Sequence, residues 1–87
     1  MSTEHILVVG EGAWGSALAS ILCHNQRSVM LWCQRPDVAD EIASNNTNTR
    51  YLPGVPLDNR IIPVADLSSA IAASSTLVVT TPVLYLR

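Results

Sequence analysis

Apolar residues along this chain alternate between short unbroken runs and stretches in which they recur every three or four positions. The first run, Ile6-Leu7-Val8-Val9, is hydrophobic on both faces and stops at Gly10. That is the pattern of a strand buried on two sides, as in a parallel sheet covered by helices. Over residues 14–24 the apolar positions Trp14, Ala17, Leu18, Ile21 and Leu22 fall at helical spacing, which predicts a helix with one face on that sheet. Asn25 is its expected left-handed stop, because a short polar side chain tolerates positive φ. A second run, residues 29–33, completes a β-α-β unit. Its short connections favour a right-handed parallel crossover.

Pro36 suits the first turn of a second helix, with Val38, Ala39, Ile42 and Ala43 on its apolar side and an end near Ser44. Residues 45–59 are polar and Pro-punctuated, with Pro53-Gly54 marking a turn, so regular structure is expected to pause there. Residues 60–64 form a short third strand that Pro63 pushes toward an edge. Asp66 is the expected N-cap of a helix through Ala73, with Leu67, Ala70 and Ile71 on one side. Residues 76–80 predict a fourth, central strand that Pro82 ends, and residues 83–87 the first turn of a further helix. The fold class is α/β: a Rossmann-type half with about four parallel strands in the order 3-2-1-4 and helices on both faces. Ligand is then expected at the carboxyl ends of the first and fourth strands, where the strand order reverses.

Composition narrows the function classes. The chain has 87 residues, 48% apolar and 14% charged, too apolar for a disordered segment and short enough for one core at most. A net charge of −2 without a basic run excludes the electrostatic footprint of a nucleic-acid or anionic-membrane partner. No apolar run approaches the roughly 20 residues of a membrane span. Residues 1–5 lack the basic start of a secretory signal, so the expected location is the cytoplasm. Cys23 and Cys33 have neither CxxC nor metal-ligand spacing, so they are read as free thiols in packing roles and no metal site is assigned. The sequon Asn45-Asn46-Thr47 is read as loop. His5 and His24 read as a strand-edge and a helix-end residue, and Trp14 and Trp32 as core aromatics, with Trp14 also able to face a ligand.

The junction of first strand and first helix reads Gly10-Glu11-Gly12-Ala13-Trp14-Gly15, a G-x-G-x-x-G motif. Gly10 permits the tight turn, Gly12 lets a pyrophosphate reach the backbone, and Gly15 lets helix and strand pack closely. The helix N-terminus then offers unpaired N–H groups and the positive end of its dipole. The pattern alone is weak, but here it follows a predicted strand and opens a predicted helix within a β-α-β unit, which makes it a dinucleotide site. An acid at the end of the second strand would select NAD by bonding the ribose 2′-OH. That stretch is Trp32-Cys33-Gln34-Arg35, with no acid. Arg35 is placed to pair with a 2′-phosphate, to lie against adenine, or to remain a solvated charge, so NADP or dual use is favoured over strict NAD.

Residues Gly10 to Ala19, Gly-Glu-Gly-Ala-Trp-Gly-Ser-Ala-Leu-Ala, resemble the G-x-G-x-W-G-x-A-L-A signature of the glycerol-3-phosphate dehydrogenases. Leu31-Trp32-Cys33-Gln34-Arg35 is similar to that family's L-W-x-R/H-x segment, and Tyr51-Leu52-Pro53-Gly54 to its Y-L-P-G loop. Asp66-Leu67 with Ala70 resembles its D-L-x-x-A helix, and Val78-Val79-Thr80-Thr81-Pro82 its strand ending in V-P-S. The matches run in family order over nearly the whole chain.

The resemblance implies that residues 1–87 are the amino-terminal part of a dinucleotide-binding domain, with the carboxyl-terminal substrate domain absent. The complete enzyme would interconvert dihydroxyacetone phosphate and sn-glycerol 3-phosphate by hydride transfer with NADP or NAD, act as a homodimer and feed phospholipid synthesis. Cofactor contacts carry over to Gly10, Gly12, Ala13, Trp14 and Gly15, to Gln34 and Arg35, and to Pro82. Three departures stand out. Ala13 replaces a hydroxyl or amide residue and leaves only the backbone donor. Glu11 replaces a small residue, and its charge is tolerable near phosphates only if it points to solvent. Cys33 and Gln34 replace Gly and Arg/His, which weakens 2′-phosphate recognition. The family's catalytic lysines lie beyond the fourth strand, and this sequence has no lysine. No catalytic residue is assigned, and the 87 residues alone are expected to be inactive. A non-catalytic nucleotide-binding module and the amino-terminal part of another NAD(P)-dependent dehydrogenase are the alternatives.

Overall fold

A strand that is apolar at every position must have both faces covered, and the first strand meets that demand. The computed structural model describes residues 5–80. β1 (His5–Val9) pairs in parallel with β2 (Ser28–Trp32) on one side and with β6 (Thr76–Val79) on the other, while β5 (Ile62–Val64) adds to the outside of β2. The resulting order, β5-β2-β1-β6, is the expected 3-2-1-4 arrangement of four parallel strands. α1 (Ala13–His24) and α2 (Pro36–Asn45) cover one face, where Ile6, Val8, Val29 and Leu31 pack on Ala19, Cys23, Val38 and Ile42. α3 (Leu67–Ala73) covers the other, where Leu7 and Val9 meet Ala70 beside Leu67, Met30 and Trp32. Successive β1 side chains therefore enter opposite cores, as strand geometry requires.

The helix caps follow local chemistry. Asp66 Oδ1 accepts from Ser68 N at 3.1 Å and Ser69 N at 3.4 Å, and Oδ2 from Ser69 Oγ at 2.8 Å. These bonds, the Ser69 hydroxyl first, hold its carboxyl below the usual range. Pro36 occupies the first turn of α2. Pro63 lies on edge strand β5, opposite Leu31, where its missing N–H costs no ladder bond on an inner side. The left-handed stop of α1 is displaced from expectation: Asn25 has φ −89°, and Gln26 takes φ 68°. Gln26 N donates to Cys23 O and Arg27 N to Leu22 O, a Schellman pattern whose geometry puts the left-handed residue one place past the cap.

Residues 45–59 are more ordered than the sequence suggests. β3 (Thr47–Asn48) and β4 (Leu52–Pro56) form an antiparallel hairpin, and Pro53-Gly54, expected as a turn, lies within β4. The chain reverses at residues 49–51, where Glu41 on α2 holds Thr47 and Thr49. Its carboxylate accepts from Thr47 Oγ1 at 2.7 Å, Thr49 N at 3.0 Å and Thr49 Oγ1 at 3.1 Å. The sequon is accordingly not loop: Asn45 ends α2, Asn46 is its left-handed cap and Thr47 enters β3. The fourth parallel strand, expected to be central, has only β1 beside it among the described residues. Its Leu77 and Val79 are about half exposed, because the seven-residue α3 covers little of that face. The expected end of this strand at Pro82 and the helical turn over 83–87 lie outside the described residues.

Both cysteines are free and buried. Burial, with the Glu11 carboxylate adding to it, pushes the Cys33 thiol up to about 12. Burial first and Asp58 second raise Cys23. Neither thiol should react with a disulfide reagent at pH 8 in the native state, and both should react at once in denaturant, as thiol absorbance assays will show. The native state holds these thiols neutral. The contribution of Cys33 to stability is therefore whole below the ordinary thiol range and is lost as pH rises through about 12.

Candidate functional site

The turn from β1 into α1 depends on its glycines in three different ways. Gly10 has φ 117°, a conformation L side chains rarely adopt, and its N–H donates to Trp32 O at 3.2 Å. Gly12 is the N-cap of α1, and a Cβ built there meets no atom within 4 Å, so the space above it is open to a ligand. A Cβ on Gly15 would overlap the Gly10 carbonyl oxygen and lie 2.8 Å from Thr80 Oγ1. No side chain caps α1, its first turn has no acid, and its first internal bond runs from Ser16 N to Gly12 O at 2.9 Å. The N–H groups of Ala13, Trp14 and Gly15 precede that bond and have no acceptor within the helix. They and the helix dipole suit an anion. Trp14 is no core aromatic: it is 82% exposed, because the second helical position points off the sheet. Trp32 packs against the α3 side and donates Nε1–H to Ala65 O at 3.1 Å.

Buried polar groups fix the loop from below. Ser16 Oγ donates to Glu11 O at 2.9 Å, and Asn48 Nδ2 donates to the same carbonyl at 2.7 Å and to Ser16 Oγ at 2.9 Å. Asn48 Oδ1 accepts from Tyr51 N at 3.3 Å. Asn48 has no exposed surface, and it joins the hairpin to the glycine loop. The sequence reading missed it, since a single Asn in a polar stretch carries no local signal. At the carboxyl ends of β1 and β6, Thr80 N donates to Val9 O at 2.9 Å, and Thr80 Oγ1 lies 3.0 Å from Val9 O and 3.3 Å from Gly10 O. The glycine loop and the expected switch point are thus one place.

Gln34 and Arg35, expected at the end of the second strand, line a cleft of about 470 Å³ with Pro36, Asp37 and Tyr51. Tyr51 brings the Y-L-P-G segment to the same cleft. The Arg35 guanidinium is engaged by Asp37, Nε to Oδ1 at 3.2 Å and Nη2 to Oδ2 at 3.3 Å. That pairing holds the Asp37 carboxyl below its usual range. Glu11 departs from expectation. Instead of pointing to solvent it is 5% exposed, and its Oε2 accepts from Arg35 N at 2.8 Å. The end of β2, which has no acid in sequence, therefore has one in space. Pro82, the remaining predicted contact, lies outside the described residues. Among the described residues no group of three or more His, Cys, Asp or Glu side chains is arranged to hold a metal, and no helix is long and apolar enough to cross a membrane.

Known proteins share this sequence and fold. The NAD(P)+ glycerol-3-phosphate dehydrogenase of Moorella thermoacetica is 43% identical over 79 residues, covering 91% of this chain and 24% of the relative. That of Shewanella pealeana is 40% identical over 81 residues, covering 93% and 24%. Among solved structures, the glycerol-3-phosphate dehydrogenase of Plasmodium falciparum superposes with a TM-score of 0.87 at 30% identity, over 95% of this chain and 26% of that one. The chain thus spans about a quarter of the relatives it matches. Residues 5–87 match the family described as NAD-dependent glycerol-3-phosphate dehydrogenase N-terminus, and the chain belongs to that family.

Proposed function

We propose that this chain binds NAD(P) for a glycerol-3-phosphate dehydrogenase, holding the pyrophosphate on the N-terminus of α1 and the adenosine end in the cleft beside β2. The observation that carries the proposal is the open approach above Gly12 beside an uncapped helix N-terminus. The backbone donors of Ala13, Trp14 and Gly15 bind the pyrophosphate, Gly10 shapes the turn, Gln34 and Arg35 flank the adenosine, and the family resemblance adds Pro82 as a contact. The names of the relatives support NAD(P) as cofactor and glycerol 3-phosphate as substrate. On the family resemblance we place the reaction in cytoplasmic phospholipid synthesis and the complete enzyme as a homodimer.

A dinucleotide held by the glycine loop and the cleft beside β2 would supply the hydride chemistry, and the task of this segment is to hold it in place. We assign binding, and not proton transfer, to this segment. It has no lysine, His5 begins β1 at the end opposite Gly10, and His24 closes α1 at the end opposite the glycine loop. Gly12→Val is the direct test. Gly12 has φ −60° and no neighbour for a new side chain, so circular dichroism should show the fold intact. The new side chain fills the phosphate approach, and titration followed by NADH fluorescence should show affinity lower by roughly a hundredfold or more. A folded variant with unchanged affinity would refute the site.

A further inference from the structure

We infer that Glu11 sets the cofactor preference of this chain, disfavouring NADP(H) by carrying a carboxylate from the glycine loop to the end of β2. The inference rests on the dinucleotide reading above. In dinucleotide-binding folds the group at the end of the second strand meets the adenosine ribose: an acid there bonds the 2′-OH and repels a 2′-phosphate. The sequence of this chain has no acid at that point, yet Glu11 Oε2 sits 2.8 Å from Arg35 N, the N-cap residue of α2.

Three further observations fix that carboxylate as a permanent part of the site. Its backbone carbonyl is held by both Ser16 and Asn48, so the residue is anchored on the main-chain side. Glu11 is 5% exposed, which leaves its charge little screened by salt or water. Among the described residues no fully buried side-chain oxygen or nitrogen lacks a hydrogen-bond partner, so nothing in the packing drives this carboxylate out of its place.

Neither Arg35 on the cleft wall nor Arg50, which does not line the cleft, offsets this charge for a 2′-phosphate. Arg35 already gives two guanidinium contacts to Asp37, a second acid on the cleft wall. Arg50 lies over the Tyr51 ring, 5.5 Å from its centroid, with Nε on the Tyr51 hydroxyl. It is exposed, and solvent screens it. Gln34 is neutral. A ribose diol gains an acceptor at this place, and a phosphate meets a fixed negative charge.

NADH and NADPH differ only in the 2′-phosphate and share one fluorescent ring, so their affinities can be compared directly on the 87-residue chain. Wild type should bind NADH more tightly. Glu11→Gln keeps an oxygen for the Arg35 N–H and removes the charge. The NADPH-to-NADH affinity ratio should then rise on the order of tenfold, chiefly through stronger NADPH binding. Glu11→Ala, which restores the small residue of the related signature, should move the ratio the same way. An unchanged ratio in both variants, with both cofactors still bound, would overturn the role of Glu11 and leave the site reading intact. Failure of wild type and both variants to bind either cofactor would remove the dinucleotide reading, and the inference with it.

Discussion

Gly15→Ala is expected to destabilise the chain by about 3 kcal/mol or more, the upper range for forcing an atom into filled space. The sign is the informative part. In an exposed helix the same exchange gains roughly 1 kcal/mol, because alanine restricts the unfolded chain and favours the helix. Here the new Cβ would overlap the Gly10 carbonyl oxygen and press on Thr80 Oγ1 at 2.8 Å. Neither neighbour is free to yield. Gly10 is tied to β2 through Trp32 O, and Thr80 is tied to β1 through Val9 O. A chain this small has little stability to lose, so urea or thermal unfolding should show a large shift or no cooperative transition at all. Stability equal to or above wild type would mean that α1 and β1 are not packed as closely as the structure has them.

Asn48→Ala should cost about 3 kcal/mol, from lost hydrogen bonds of about 1 kcal/mol each together with the dry gap the amide leaves. Asn48 donates to Glu11 O and Ser16 Oγ, accepts from Tyr51 N, and has no exposed surface. Cofactor affinity should fall with stability, because the same amide holds the glycine loop against the hairpin. Asn48→Asp has nearly the same volume but turns a donor into an acceptor facing the Glu11 carbonyl, so it should not rescue. Urea unfolding and NADH titration on wild type, Ala and Asp variants decide the point. Full stability in the Asp variant would show that volume, not hydrogen bonding, is what the position supplies.

The expectations that held are those set by a few neighbouring residues. Ile6-Leu7-Val8-Val9 before Gly10 required a doubly covered strand, Asp66 was a complete cap in itself, and Pro63 could sit only where no ladder bond was needed on both sides. The left-handed stop of α1 missed by one residue, and the larger failures turned on groups outside the local window. The hairpin at residues 47–56 is held by Glu41, and a window on its Pro and Gly content reads only the turn-forming tendency. Trp14 looked like core because aromatics usually are, whereas its direction depends on where α1 leaves the sheet.

The sequence by itself determined the order and type of the parallel strands and their helices, and it placed the ligand loop, because apolar runs, helical spacing and glycines act over a few residues at a time. Tertiary structure alone decided what surrounds that loop. Asn48 reaches it from a hairpin formed long after it in sequence. Glu11 crosses from the first strand-helix turn to the end of the second strand, so an acid absent from that stretch of sequence is present there in space. Side-chain reach between elements depends on how they pack, and no local pattern of residues encodes it.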